Sequence, residues 1–147
     1  KKAEAVLALE PNREKILVIG SDTVVALGKT ILGKPHSREE CTAMLRALSG
    51  REHTVHTGVA LLWEGGCRVF GETTRVEFWP LTEEEIAWYA STPEPYDKAG
   101  GYGIQGLGSV LVKRIDGDYF TVMGLPVSRL WRELKALPED TKYGELL

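Results

Sequence analysis

The sequence predicts an α/β domain in which a sheet is covered by amphipathic helices. Three observations carry that reading. Strand-like runs rich in β-branched residues fall at 15–20, 52–63 and 68–79. Apolar residues at helical three-and-four spacing mark the segments from Ser37 to Leu48 and from Pro126 to Leu137. Capping signals stand where one kind of segment gives way to the other.

Length and charge narrow the class. The 147 residues fit one domain, 1–147, long enough to bury roughly two thirds of its unfolded surface. Eighteen lysines and arginines against 21 aspartates and glutamates leave a net charge of −3, which offers no general attraction for duplex nucleic acid or an anionic membrane. Any anion must therefore be held by a local cluster. Cys41 and Cys67 lack Cys-x-x-Cys spacing and read as reduced packing residues of a cytoplasmic protein. No apolar run approaches the roughly twenty residues that span a bilayer. The chain opens Lys1-Lys2-Ala3-Glu4-Ala5-Val6, helix-like and without methionine, so residues before Lys1 are expected, with a targeting peptide among the options.

In order, Lys2 to Leu9 reads as the end of a helix stopped by Pro11 and Asn12. Lys15 to Gly20 reads as a short buried strand ending in Ser21-Asp22-Thr23. Polar residues at the carboxyl end of a buried strand in an α/β protein stand where ligand crevices open, so Asp22 is either a site residue or a turn cap. Val24 to Leu27 and Ile31-Leu32 form a hairpin that delivers Gly33-Lys34-Pro35 beside that crevice, with Lys34 facing phosphate or water. Ser37 and Glu40 form a capping box on a helix that buries Cys41, Met44, Leu45 and Leu48 and stops at Gly50.

Two long strands, Glu52 to Trp63 and Arg68 to Trp79, turn at Glu64-Gly65-Gly66. His53 and His56 fall on opposite faces of the first, so a shared metal is not expected there. Arg75 and Glu77 alternate with Thr74, Val76 and Phe78 and are expected on a wet face. Thr82 caps a helix that begins Glu83-Glu84-Glu85 and ends near Ala90. Ser109 to Ile115 reads as a strand, Tyr119 to Met123 as another extended piece, and Pro126 as the first turn of a helix with Leu130, Leu134 and Leu137 on one face. The tail from Pro138 is polar.

Between these elements lies Asp97-Lys98-Ala99-Gly100-Gly101-Tyr102-Gly103-Ile104-Gln105-Gly106. Its glycines suit positive φ or close approach to a ligand, and its carboxylate, ammonium and carboxamide suit an anionic, hydrogen-bonding one. A turn-rich connector remains the other reading of the composition alone.

SDTVV at 21–25, LGKP at 32–35, SGREHTVHTGVAL at 49–61, ETTRVEF at 72–78, PEPYDKAGGYGIQGLG at 93–108 and MGLP at 123–126 together resemble the Maf family. These are nucleoside triphosphate pyrophosphatases, also known as septum-formation inhibitors. The resemblance covers the whole chain. It implies an elongated, twisted mixed β-sheet flanked by helices, similar to the inosine triphosphate pyrophosphatases, with a cleft between two lobes. It also implies a homodimer and divalent-metal-dependent hydrolysis, with Mg2+ or Mn2+, of a nucleoside triphosphate to monophosphate and pyrophosphate.

Carried over by position, Asp22 matches the family's acidic residue, taken as metal ligand or as the base that activates water. Lys34 and Lys98 match lysines at the substrate, and Asp97 is the acid of the DKAG pair. Gln105 matches a glutamine that helps read the base, and Lys2 matches a lysine of the preceding helix. Thr23 and Gln105 agree with the branch favouring dTTP and UTP, as opposed to the branch acting on 7-methyl-GTP; modified pyrimidine nucleotides are possible substrates. Pro93-Glu94-Pro95 stands where the family has Gly-Glu-Pro, which stiffens the loop and removes no functional group. The family's opening Ser-x-Ser-Pro-Arg-Arg loop, its strand and the glutamate after it do not occur in these 147 residues. A non-catalytic, nucleotide-binding regulator of septation is the competing expectation, and measured pyrophosphate release divides the two.

Overall fold

The computed structural model describes residues 2–11 and 16–137. Helix α1 (Lys2–Leu9) precedes strand β1 (Val18–Leu27), β2 (Thr30–Leu32), helix α2 (Arg38–Leu48), β3 (Glu52–Trp63), β4 (Gly66–Phe78) and helix α3 (Glu83–Ala90). Three 3-10 turns, Glu94–Asp97, Ala99–Gly101 and Gly106–Leu111, then lead to β5 (Val112–Asp116), α4 (Tyr119–Met123) and α5 (Val127–Lys135).

The strands form one open sheet in the order β2-β1-β3-β4-β5. Every described pair is antiparallel, so the parallel part of the mixed sheet that the resemblance implies is not among the described residues. Strand β3 shows why the sheet has an inner face: Val55, Thr57, Val59 and Leu61 are buried in period two. At one end this face packs with Cys41, Leu45 and Leu48 of α2 and Ile86 and Tyr89 of α3. At the other it packs with Leu130 of α5, joined by Phe70. Helix α1 covers the opposite face, where a Cβ on Gly20 would lie 3.0 Å from the Cβ of Ala3.

Local signals act largely as read. The Thr82 hydroxyl accepts the Glu85 N–H at 3.2 Å, and the Glu85 carboxylate accepts the Thr82 N–H at 2.7 Å, which completes a capping box on α3. On α2, Ser37 accepts the Glu40 N–H at 3.1 Å, but the Glu40 carboxylate turns to the His36 N–H at 2.8 Å. The expected wet face of β4 carries cross-strand ion pairs, Arg75 with Asp116 and Lys113 with Glu77. His53 is buried and His56 exposed, on opposite faces as expected.

Three expectations need correction. Strand β1 does not end at Ser21-Asp22-Thr23 but runs through them to Leu27, because β3 pairs with it from Val18 to Ala26. Residues Ser109 to Leu111 belong to a 3-10 turn, so β5 begins only at Val112. Tyr119 to Met123 is helical although its side chains favour strands. Asp118 caps it, accepting the Thr121 N–H at 2.6 Å, and Gly124 closes it at φ 113°.

Both cysteines are free thiols, Cys41 buried as expected and Cys67 exposed, contrary to a packing role. Asn12, Lys15 and the tail from Pro138 lie outside the described residues. Among the described residues no helix is long and apolar enough to cross a membrane.

Candidate active site

Strand β2 pairs with β1 only along Val25–Leu27. Beside Ser21, Asp22 and Thr23, strand β1 therefore has β3 on one side and, among the described residues, no strand on the other. A cleft of about 650 Å³ opens along this free edge. Asp22 owes its place to that edge rather than to a strand terminus.

Because side chains alternate across a strand, Gly20 and Asp22 share the face covered by α1, while Thr23 and Val25 share the inner face. Helix α1 thus brings Lys2 to Asp22: its ammonium donates to Oδ1 at 2.8 Å, with both side chains well exposed. That hydrogen bond is the main reason the Asp22 carboxyl is held below the usual carboxylate range. Slight burial opposes it, and the charges of Lys2 and Lys34 add to it. Asp22 is accordingly ionised at neutral pH.

Lys34 follows the β1-β2 hairpin. The glycine-rich segment is tied beside it, since the Gly100 N–H donates to the Gly33 carbonyl at 2.9 Å. From that segment Lys98 enters the cleft and donates to the Asp97 carboxylate at 2.6 Å and to the Glu94 carbonyl at 3.1 Å. The hydrogen bond from Lys98 and its charge lower the Asp97 carboxyl, and Lys34 contributes to the same effect. Gln105, exposed at the far end of the segment, completes this wall.

The inner-face side of the cleft is set by threonines. Thr23 and Thr57 stand opposite each other in the β1-β3 register, with their hydroxyl oxygens 2.8 Å apart. The end of α4, from Val122 to Gly124, closes this side.

Asp22, Thr23, Lys34, Asp97, Lys98 and Gln105 thus line one cleft, and Lys2 reaches it through Asp22. Glu94 lines it as well and was not singled out as a functional group in the sequence. Its carboxylate accepts N–H groups of Leu107 and Gly108 and the Tyr89 hydroxyl, a role whose one sequence signal is a lone acid between two prolines. Among the described residues no group of three or more His, Cys, Asp or Glu could hold a metal ion unaided.

A sheet edge bearing an ionised carboxylate, with lysines beside it and a glycine-rich wall across from it, gives the chain a cleft whose charges and hydrogen-bonding groups suit a polyanionic ligand. A family model described as Maf-like protein matches residues 1–137, and the chain belongs to that family. It is 57% identical over 137 residues to a dTTP/UTP pyrophosphatase of Geobacillus sp. (strain WCH70), covering 93% of this chain and 72% of that protein. It is 53% identical over 135 residues to a protein of the same name from Bacillus velezensis, covering 92% of this chain and 70% of the relative. A third dTTP/UTP pyrophosphatase, from Bacillus cereus, is 48% identical over 137 residues.

Proposed function

We propose that the protein hydrolyses dTTP and UTP to the monophosphate and pyrophosphate in this cleft, with modified pyrimidine nucleotides as further candidates. The observation that carries the reading is the convergence of Asp22, Lys34, Lys98 and Gln105 on one cleft in a chain so similar to dTTP/UTP pyrophosphatases. Water attacks the α-phosphorus in line with the departing pyrophosphate, and negative charge gathers on the phosphate oxygens. Lys34 and Lys98 stabilise that charge as compact ammonium donors. Asp22 orients the water and accepts its proton. The Lys2 contact that keeps Asp22 ionised also makes it a weak base. As phosphates draw Lys2 toward themselves, the carboxylate regains basicity where the proton is released.

The residues present fit a divalent cation of the Mg2+ or Mn2+ type, which takes one or two carboxylates and completes its shell with water and substrate phosphates. Asp22 would hold it, and its chemistry when bound is to neutralise phosphate charge. Thr23 and Gln105 belong to the base and sugar side of the same reading, and Asp97 acts by keeping Lys98 in place.

The reading extends to a homodimer in the cytoplasm with no duplex nucleic acid or membrane partner. The net charge of −3 supports the part about nucleic acid and membrane and the free thiols the part about compartment, whereas the dimer rests on the family resemblance alone and is tested by sedimentation at assay concentration. Incubation with dTTP or UTP and Mg2+, followed by pyrophosphate detection, tests the activity. Nucleotide binding without pyrophosphate release would instead identify a regulator.

A further inference from the structure

The 3-10 turn Gly106–Leu111 begins directly after Gln105. Serine, threonine, aspartate or asparagine in that position bonds the first N–H groups of the turn it precedes. Gln105 makes no such bond among the described residues. Glu94, eleven residues earlier in the chain, takes the role: its Oε2 accepts the Leu107 N–H at 2.9 Å and its Oε1 accepts the Gly108 N–H at 2.8 Å.

The other flank of Gln105 is tied to the same carboxylate. The Tyr89 hydroxyl donates to Glu94 Oε1 at 2.9 Å and accepts the Gly103 N–H at 3.0 Å. Tyr89 is fully buried in the main core, so this anchor is fixed to α3 and the sheet rather than to the surface. Residues 103 to 108 form an arch whose two feet rest on one hydrogen-bonded pair, with Gln105 near its crown. Glycine at position 106 belongs to the design, since its φ is +86° and a Cβ there would lie 2.7 Å from Glu94 Oε2.

We infer that Glu94 and Tyr89 are positioning residues for base recognition: together they fix both ends of the 103–108 arch and leave the Gln105 carboxamide free for the nucleobase. Burial alone would raise the Glu94 carboxyl, but the Gly108 and Leu107 N–H groups and the Tyr89 hydroxyl outweigh it, and the carboxylate stays ionised as an acceptor. The inference rests on the proposed reading of Gln105 as a base-contacting residue.

Calorimetric titration with α,β-methylene UTP and with inorganic triphosphate separates positioning from general structural damage. Inorganic triphosphate has no base, so its binding depends on the lysines. Tyr89→Phe, which removes one hydroxyl and keeps the ring, is expected to weaken the UTP analogue about tenfold and inorganic triphosphate less than about twofold. Glu94→Gln, which exchanges an acceptor oxygen for a donor NH2, is expected to show the same split and serves as the second variant. In the Gln105→Ala background Tyr89→Phe should cause no further loss, because the arch then presents nothing to the base.

Equal weakening of both ligands, unchanged affinity for the analogue, or losses that add to Gln105→Ala each overturn the inference. Pyrophosphate release from UTP by the unaltered protein is measured in parallel. Turnover with an unaltered Tyr89→Phe profile overturns the inference alone, whereas absence of both turnover and analogue binding overturns the functional reading with it.

Discussion

The hydroxyl oxygens of Thr23 and Thr57 lie 2.8 Å apart, and the Thr57 hydroxyl also donates to the Thr121 carbonyl at 2.7 Å. Thr57 has one proton and a carbonyl can only accept, so Thr23 must donate to Thr57. The Thr23 oxygen is thereby left as an acceptor toward the cleft. A buried side chain on β3, 1% exposed, sets the polarity of a residue on the cleft wall.

Thr57→Val keeps the shape and removes that control. The Thr121 carbonyl still receives the Gly124 N–H at 3.2 Å, so the expected stability loss is only about 1 kcal/mol. Thr23 becomes free to rotate and donate, and KM for UTP should rise while Thr57→Ser remains close to the original. Urea denaturation and steady-state kinetics on the two variants check both halves.

Acid should destabilise the fold through His53. This side chain is 2% exposed, packs edge-on against Phe78 and Tyr102, and has Nε2 2.7 Å from the Tyr102 hydroxyl. Burial pushes its imidazole down from 6.5 to about 4, so the folded protein holds it neutral. A lowered histidine contributes fully above the unfolded value and loses its contribution as pH falls from about 6.5 toward about 4. Over that window the loss amounts to about 3 kcal/mol. Urea midpoints at pH 7.5 and 4.5 should differ by less in His53→Gln than in the unaltered protein; an equal difference would assign the acid lability to other groups.

The phosphate side of the cleft should answer to charge. Lys34→Met is expected to weaken UTP and inorganic triphosphate alike by about 10- to 100-fold, as for loss of a hydrogen bond between charged groups. UMP, with fewer phosphates, should lose less. Calorimetry with the three ligands reads the pattern, and a loss confined to UTP would move Lys34 to the base side.

Much of this was legible in the sequence, but not always for the right reason. The capped helices, the β3-β4 hairpin and the opposite faces of His53 and His56 follow from side-chain period and cap chemistry, which act within a few residues. Asp22 was found through an expected strand end, yet the strand continues and the cleft comes to its edge. Only pairing with β3, some thirty-five residues away, extends β1 that far. Tyr119 to Met123 favours strand by side-chain type, and the cap from Asp118 decides otherwise. Glu94 escaped because its partners, Tyr89, Leu107 and Gly108, become neighbours only once the loop is folded.

In the proposed reaction Asp22 acts on the attacking water. Its side chain is exposed and outside the core, so Asp22→Asn should fold as the unaltered protein does. The decisive measurement is pyrophosphate release from UTP by this variant in the full-length protein with Mg2+, alongside its thermal midpoint. Expected are an unchanged midpoint, retained binding of inorganic triphosphate and turnover lowered by at least about a hundredfold. Release at the rate of the unaltered protein would contradict it.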